Sequence, residues 1–86
     1  MYEQEELNAF VMIKVEPGNE VNVFNAIRDI KDQYPIKSVS MVYGEFDIIL
    51  RIQGVSDDIQ KFVVKLRTIP GVVDTRTFLV ARFMLL

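Results

Sequence analysis

The residues best placed to do chemistry sit in one short stretch, Tyr43-Gly44-Glu45-Phe46-Asp47. It brings two carboxylates, a phenol, a second ring and a glycine into five positions. Glycine takes backbone conformations that side chains disfavour, so the stretch reads as a tight turn with exposed amides. A carboxylate suits an ammonium group, and backbone N–H groups suit a carboxylate. A turn of this composition therefore fits a free amino acid. The plainer reading, favoured by spacing alone, is a hairpin in which Asp47 bonds local amides and Phe46 fills a gap. Asp74-Thr75-Arg76-Thr77 is the second candidate group. In an extended chain Thr75 and Thr77 share one face, and Asp74 and Arg76 share the other. Strand propensity accounts for the threonines, and an ion pair accounts for Arg76.

The missing chemistry narrows the field. The chain has no histidine and no cysteine. That removes imidazole bases, thiolate nucleophiles, disulfides and the common zinc sites. Ser38, Ser40 and Ser56 have no histidine to activate them. Gly18, Gly44, Gly54 and Gly71 are isolated, so there is no phosphate-binding loop and no dinucleotide fingerprint. The pairs Glu45/Asp47 and Asp57/Asp58 suit hard cations, but adjacent surface acids are far more often turn or cap chemistry. No catalytic residue, no cofactor and no metal is assigned, and the chain reads as a non-enzyme.

The formal net charge is −2. A nucleic-acid binder carries a basic stripe. Here Lys61, Lys65 and Arg67 form the densest basic group, behind Asp57 and Asp58, and read as a solvated helix face. The third strand, Asp47 to Gln53, offers no aromatic platform for stacking bases.

Eighty-six residues make one domain, 1–86. A chain this short is marginally stable alone, yet 50% of it is hydrophobic. The excess apolar surface calls for cover, most simply by copies of the same chain. The start, Met1 to Glu6, is acidic and lacks the pattern of a signal peptide. No apolar run approaches the roughly 20 residues that span a bilayer. The expected location is the cytoplasm, with no membrane contact.

These groups need elements to position them. Asn8 to Glu16 reads as a strand, apolar on both alternating faces and so expected to be covered on both. Pro17-Gly18 breaks it and Asn19 suits a helix N-cap. A helix follows with Val21, Phe24, Ile27, Ile30 and Tyr34 as its apolar stripe, and Pro35 stops it. Ile36 to Tyr43 and Asp47 to Gln53 form an antiparallel hairpin around Gly44. Ser56 caps a second helix with Asp57 and Asp58 in its first turn, where carboxylates suit the helix dipole. Its stripe is Ile59, Phe62, Val63, Leu66 and Ile69. Pro70-Gly71 ends it, and Val72 to Arg82 is the last strand. The apolar tail Phe83-Met84-Leu85-Leu86 is expected to pack on a partner or to add an edge strand.

The order strand, helix, strand, strand, helix, strand is a split βαβ, or ferredoxin-like, α+β arrangement. Right-handed crossovers put both helices on one face of a four-stranded antiparallel sheet. The other face is left bare, and a second sheet packed on it gives a face-to-face homodimer.

Four segments in this order resemble a known family. They are Phe10 to Gly18, Val42-Tyr43-Gly44-Glu45-Phe46-Asp47, Leu66 to Val72 and Asp74-Thr75-Arg76-Thr77. Together they are similar to the effector-binding (RAM) domain of the Lrp/AsnC, or feast/famine, transcription regulators, over Ala9 to about Arg82. The resemblance implies dimers joined through their sheets, assembled into octamers or decamers. It implies an amino acid held in a cleft between neighbouring dimers. Carried over by position, Gly44, Glu45, Phe46 and Asp47 line that cleft with Thr75 and Thr77, and Met41 and Tyr43 are additions from the preceding strand. Phe46 stands where the family often has tyrosine, which removes one phenol contact. Full-length regulators begin with a helix-turn-helix, and only Met1 to Leu7 precede the first strand here. The expectation is a stand-alone module without direct DNA binding, whose partners include full-length regulators. Two alternatives share the topology. One is a small cofactor-free enzyme, which needs a buried proton-transferring group such as a carboxylate or Tyr43. The other is an ACT-type regulatory domain, whose ligand lies near Pro17-Gly18-Asn19.

Overall fold

The computed structural model describes residues 5–86. Met1 to Gln4, part of the acidic start, lie outside the described residues. The elements run β1 (Leu7–Val15), α1 (Glu20–Asp29), β2 (Ile36–Met41), β3 (Ile48–Gly54), α2 (Ser56–Leu66) and β4 (Val72–Leu79). The strands form one antiparallel sheet in the order β2-β3-β1-β4. This is the ferredoxin-like arrangement the element order predicts.

Strand alternation fixes the core. Ala9, Val11, Ile13 and Val15 of β1 and Ile48, Leu50 and Ile52 of β3 are buried on the helix side. Val23 and Ile27 of α1 and Ile59, Phe62 and Leu66 of α2 close over them. Fully burying each such aliphatic or aromatic side chain stabilises the fold by roughly 1.5–3 kcal/mol. Tyr34 stacks at a tilt on Phe62, with ring centroids 5.2 Å apart.

Several details differ from the sequence reading. The first strand is not covered on both faces within one chain. Phe10 is 39% exposed on the side away from the helices, where Lys14 is also exposed. The α1 stripe is phased differently: Val21 is 61% exposed and Val23 takes the core position. The helix ends at Asp29, and residues 30–35 are turns rather than a further helical turn carrying Tyr34. Asn19 holds the N-cap position without a side-chain capping bond. Instead, Glu20 Oε2 accepts the Gly18 N–H at 3.0 Å. Val55, not Ser56, is the N-cap of α2, also without a side-chain cap. The last strand stops at Leu79, where the Val80 N–H meets the Asn8 carbonyl at 2.8 Å. The tail adds no strand. Phe83 lies beside Phe10 and Arg51 on the open sheet face.

Candidate functional site

The connection between β2 and β3 is longer than a tight hairpin and is tied down at both ends. The Val42 N–H donates to the Asp47 carbonyl at 2.9 Å, and the Asp47 N–H donates to the Ile13 carbonyl at 2.9 Å. Asp47 Oδ2 accepts the N–H of Val15 at 2.7 Å. This aspartate therefore bonds the end of β1 rather than the local amides. A bond to an ionised acceptor is about twice as strong as a neutral one, so it locks the turn against the sheet. Lys14 Nζ donates to the Glu45 carbonyl at 3.1 Å and holds the turn from the outside. Gly44 sits at φ 145°, the region that favours glycine.

What remains free is as telling as what is tied. Among the described residues, the N–H groups of Tyr43, Gly44, Glu45 and Phe46 find no protein acceptor. The turn adjoins a cavity of about 450 Å³, to which it contributes Tyr43 and Asp47. Its lining is Glu20 and Val21 of α1 with Met41, Val42, Tyr43 and Asp47. Two carboxylates face three aliphatic side chains and a phenol ring, and no basic side chain lines it. Tyr43 stands wholly in solvent at 107% relative exposure. Phe46 is half-buried.

Three of the expected site residues, Met41, Tyr43 and Asp47, thus share one cavity, with Gly44, Glu45 and Phe46 in the same turn. Thr75 and Thr77 do not join them. They lie on β4, at the opposite edge of the sheet from β2. Three strand spacings, roughly 14 Å, separate those edges. The register puts Thr75 opposite Ile13 and Thr77 opposite Val11, so both face the helix side. Thr75 Oγ1 accepts from Arg67 Nε at 3.3 Å. Thr77 lines a groove of about 490 Å³ between α2 and β4, whose apolar walls include Leu7, Ile59, Val63 and Leu79. Arg76 pairs instead with Asp74 at 3.2 Å on the open face. Within one chain the two halves of the expected site are apart.

Glu20 and Val21 carry no signal in the sequence that ties them to this site. Both lie far from the turn along the chain, and only the packing of α1 beside the end of β2 brings them in. Among the described residues no polar or charged side chain is buried.

The model of the Lrp/AsnC ligand-binding domain matches residues 8–84. The chain belongs to this family. Solved structures of the same fold include FFRP-DM1, with a TM-score of 0.76 at 25% identity, over 86% of this chain and 97% of that one. TTHA0845 from Thermus thermophilus aligns with a TM-score of 0.80 at 21% identity, over 91% of this chain and 96% of that one. The transcriptional regulator NMB0573 from Neisseria meningitidis, in complex with L-Met, aligns with a TM-score of 0.72 at 22% identity. That alignment takes in 88% of this chain and 50% of the regulator. The Lrp/AsnC-type chain therefore spans nearly all of two of these proteins and half of the third. A comparison with curated protein sequences gave no match.

Proposed function

We propose that this Lrp/AsnC-type domain is a non-enzymatic sensor of a free amino acid, and that binding is coupled to self-assembly. One observation carries the reading: among the described residues the N–H groups of Tyr43 to Phe46 have no protein acceptor, and Tyr43 lines the same cavity as Glu20 and Asp47. A zwitterion matches that arrangement, its carboxylate to the amides and its ammonium to the free carboxylate oxygens. Val21, Met41 and Tyr43 supply apolar surface for a side chain. An aliphatic or thioether amino acid fits best, and the L-Met held by the Neisseria regulator is of that class.

Assembly follows from the uncovered sheet face. Phe10 and Phe78 stand there beside Met12 and Ile49, and Phe83 of the tail adds to the patch. Two copies packed face to face about 10 Å apart cover it. Dimers then join into octamers or decamers, and an effector that prefers one assembly shifts the population toward it. The module acts in the cytoplasm and transmits its state to full-length regulators of the family.

The test is a calorimetric titration of each proteinogenic amino acid into the protein. Saturable heat with at least one apolar amino acid supports the sensor. Absence of heat with all of them removes it.

A further inference from the structure

The groove of about 490 Å³ between α2 and β4 shares no residue with the cavity beside the β2–β3 turn. Its two walls run side by side. On the helix, Ile59, Val63 and Arg67 follow at steps of four and so form one row. From Ile59 to Arg67 is about 12 Å along the axis, at 1.5 Å per residue. On the strand, Leu79, Thr77 and Thr75 share the helix-side face over a similar length, about 13 Å.

The two ends of this trough differ. Leu7, Ile59 and Leu79 stand at one end. Arg67 stands at the other, where its Nε donates to Thr75 Oγ1 at 3.3 Å. That bond steadies the guanidinium and leaves its terminal nitrogens to a ligand. Among the described residues no carboxylate lies within ion-pair distance of Arg67. Asp74, next to Thr75, is taken by Arg76 at 3.2 Å on the open sheet face. The last turn of α2 also carries Lys65. A cavity of this size, walled by apolar side chains with one placed charge, has the usual form of a small-molecule site.

We infer that the groove binds a free medium-chain alkanoate, its carboxylate on Arg67 and its chain laid along Val63 and Ile59 towards Leu7 and Leu79. Charge complementarity selects the head group, because a guanidinium offers a carboxylate two parallel N–H donors. Length selects the tail, because about 12 Å of trough is left empty by a short acid such as acetate. The site goes beyond the amino-acid reading and does not depend on it. An alkanoate has no ammonium group, and no carboxylate lines the groove to meet one.

The test titrates octanoate, octanol and octylamine separately into the intact chain, below micelle-forming concentrations, followed by methyl NMR. Octanoate is expected to saturate, with the largest shifts at the Ile59, Val63 and Leu79 methyls. Decanoate should bind more tightly and hexanoate more weakly, by about two- to fourfold per methylene. Octanol should bind about tenfold more weakly than octanoate, and Arg67→Gln should remove that difference while the rest of the spectrum is retained. Octylamine binding as tightly as octanoate would overturn the inference. So would an octanoate affinity unaltered by Arg67→Gln, or shifts centred on Met12 and Ile49 of the open face. Failure of octanoate to saturate overturns it too, as when a second copy covers the groove. Contacts between the Leu85 and Val63 methyls in the ligand-free protein would place the apolar tail there, with the same consequence. Amino-acid titrations on the same samples are read at the Val21 and Met41 methyls, so the two readings fail separately.

Discussion

Asp47 is the residue whose replacement tests the site's architecture most sharply. Its Oδ2 receives the N–H of Val15 at 2.7 Å, and Val15 is only 4% exposed. Removing the carboxylate leaves that N–H without an acceptor in a place water reaches poorly. Hydrogen bonds to charged groups contribute about 1.5–3 kcal/mol, and an orphaned buried N–H costs about 1–3 kcal/mol. Asp47→Ala is therefore expected to destabilise the fold by about 2–3 kcal/mol. Asp47→Asn keeps an oxygen acceptor and loses only the charge, for a cost of about 1 kcal/mol. In a domain of this length about 1 kcal/mol moves Tm by about 4–8 °C. The alanine variant should melt roughly 10–20 °C lower and the asparagine variant roughly 5 °C lower. Melting is followed by circular dichroism at one protein concentration, because assembly shifts Tm by mass action. Equal losses in the two variants would refute the acceptor argument and assign the effect to charge. A loss below about 0.5 kcal/mol in the alanine variant would refute the lock itself.

Further substitutions probe the fold and the assembly. Gly44→Ala and Gly71→Ala both impose a side chain at positive φ, but a Cβ at Gly44 meets nothing within 4 Å, whereas one at Gly71 lies 2.9 Å from Asn19 Cβ. Urea denaturation should give a loss of about 1 kcal/mol for the first and about 2–4 kcal/mol for the second; equal losses would mean the contact with Asn19 relaxes freely. Phe10→Asp places a charge on the open sheet face, and sedimentation should show protomers separating with the helical signal retained. An unchanged mass would place the dimer contact elsewhere.

Much of this is legible from residue types. The alternation of Ile48, Leu50 and Ile52 against Ile49 and Arg51 fixes the two faces of β3, because the pleat has a period of two. The stripe Ile59, Phe62 and Leu66 fixes the buried face of α2 in the same way. The phase of α1 is not legible, since Val21 and Val23 are equally apolar. Packing decides it: Val23 Cγ2 lies beneath Gly71, 3.3 Å from where a Cβ would stand. Aspartate next to a turn is readable as an amide acceptor, but its partner Val15 lies 32 residues away and only the sheet brings it there. The turn at Tyr43 to Asp47 announces itself through glycine and acids. Glu20 and Val21 carry no comparable signal, because a helix's first turn looks alike whether or not a cavity adjoins it. Thr75 and Thr77 share one face, as strand alternation requires. Their distance from the turn follows from strand order, which sets β2 and β4 at opposite edges.

The central claim for this domain is that binding of a free amino acid is coupled to assembly of its copies. Mass in solution, measured with and without each apolar amino acid, tests this most directly. The expected result is an assembly larger than a dimer whose size distribution changes with at least one of them, L-methionine foremost. A monomer at every concentration, or an assembly unaltered by any amino acid, would contradict it.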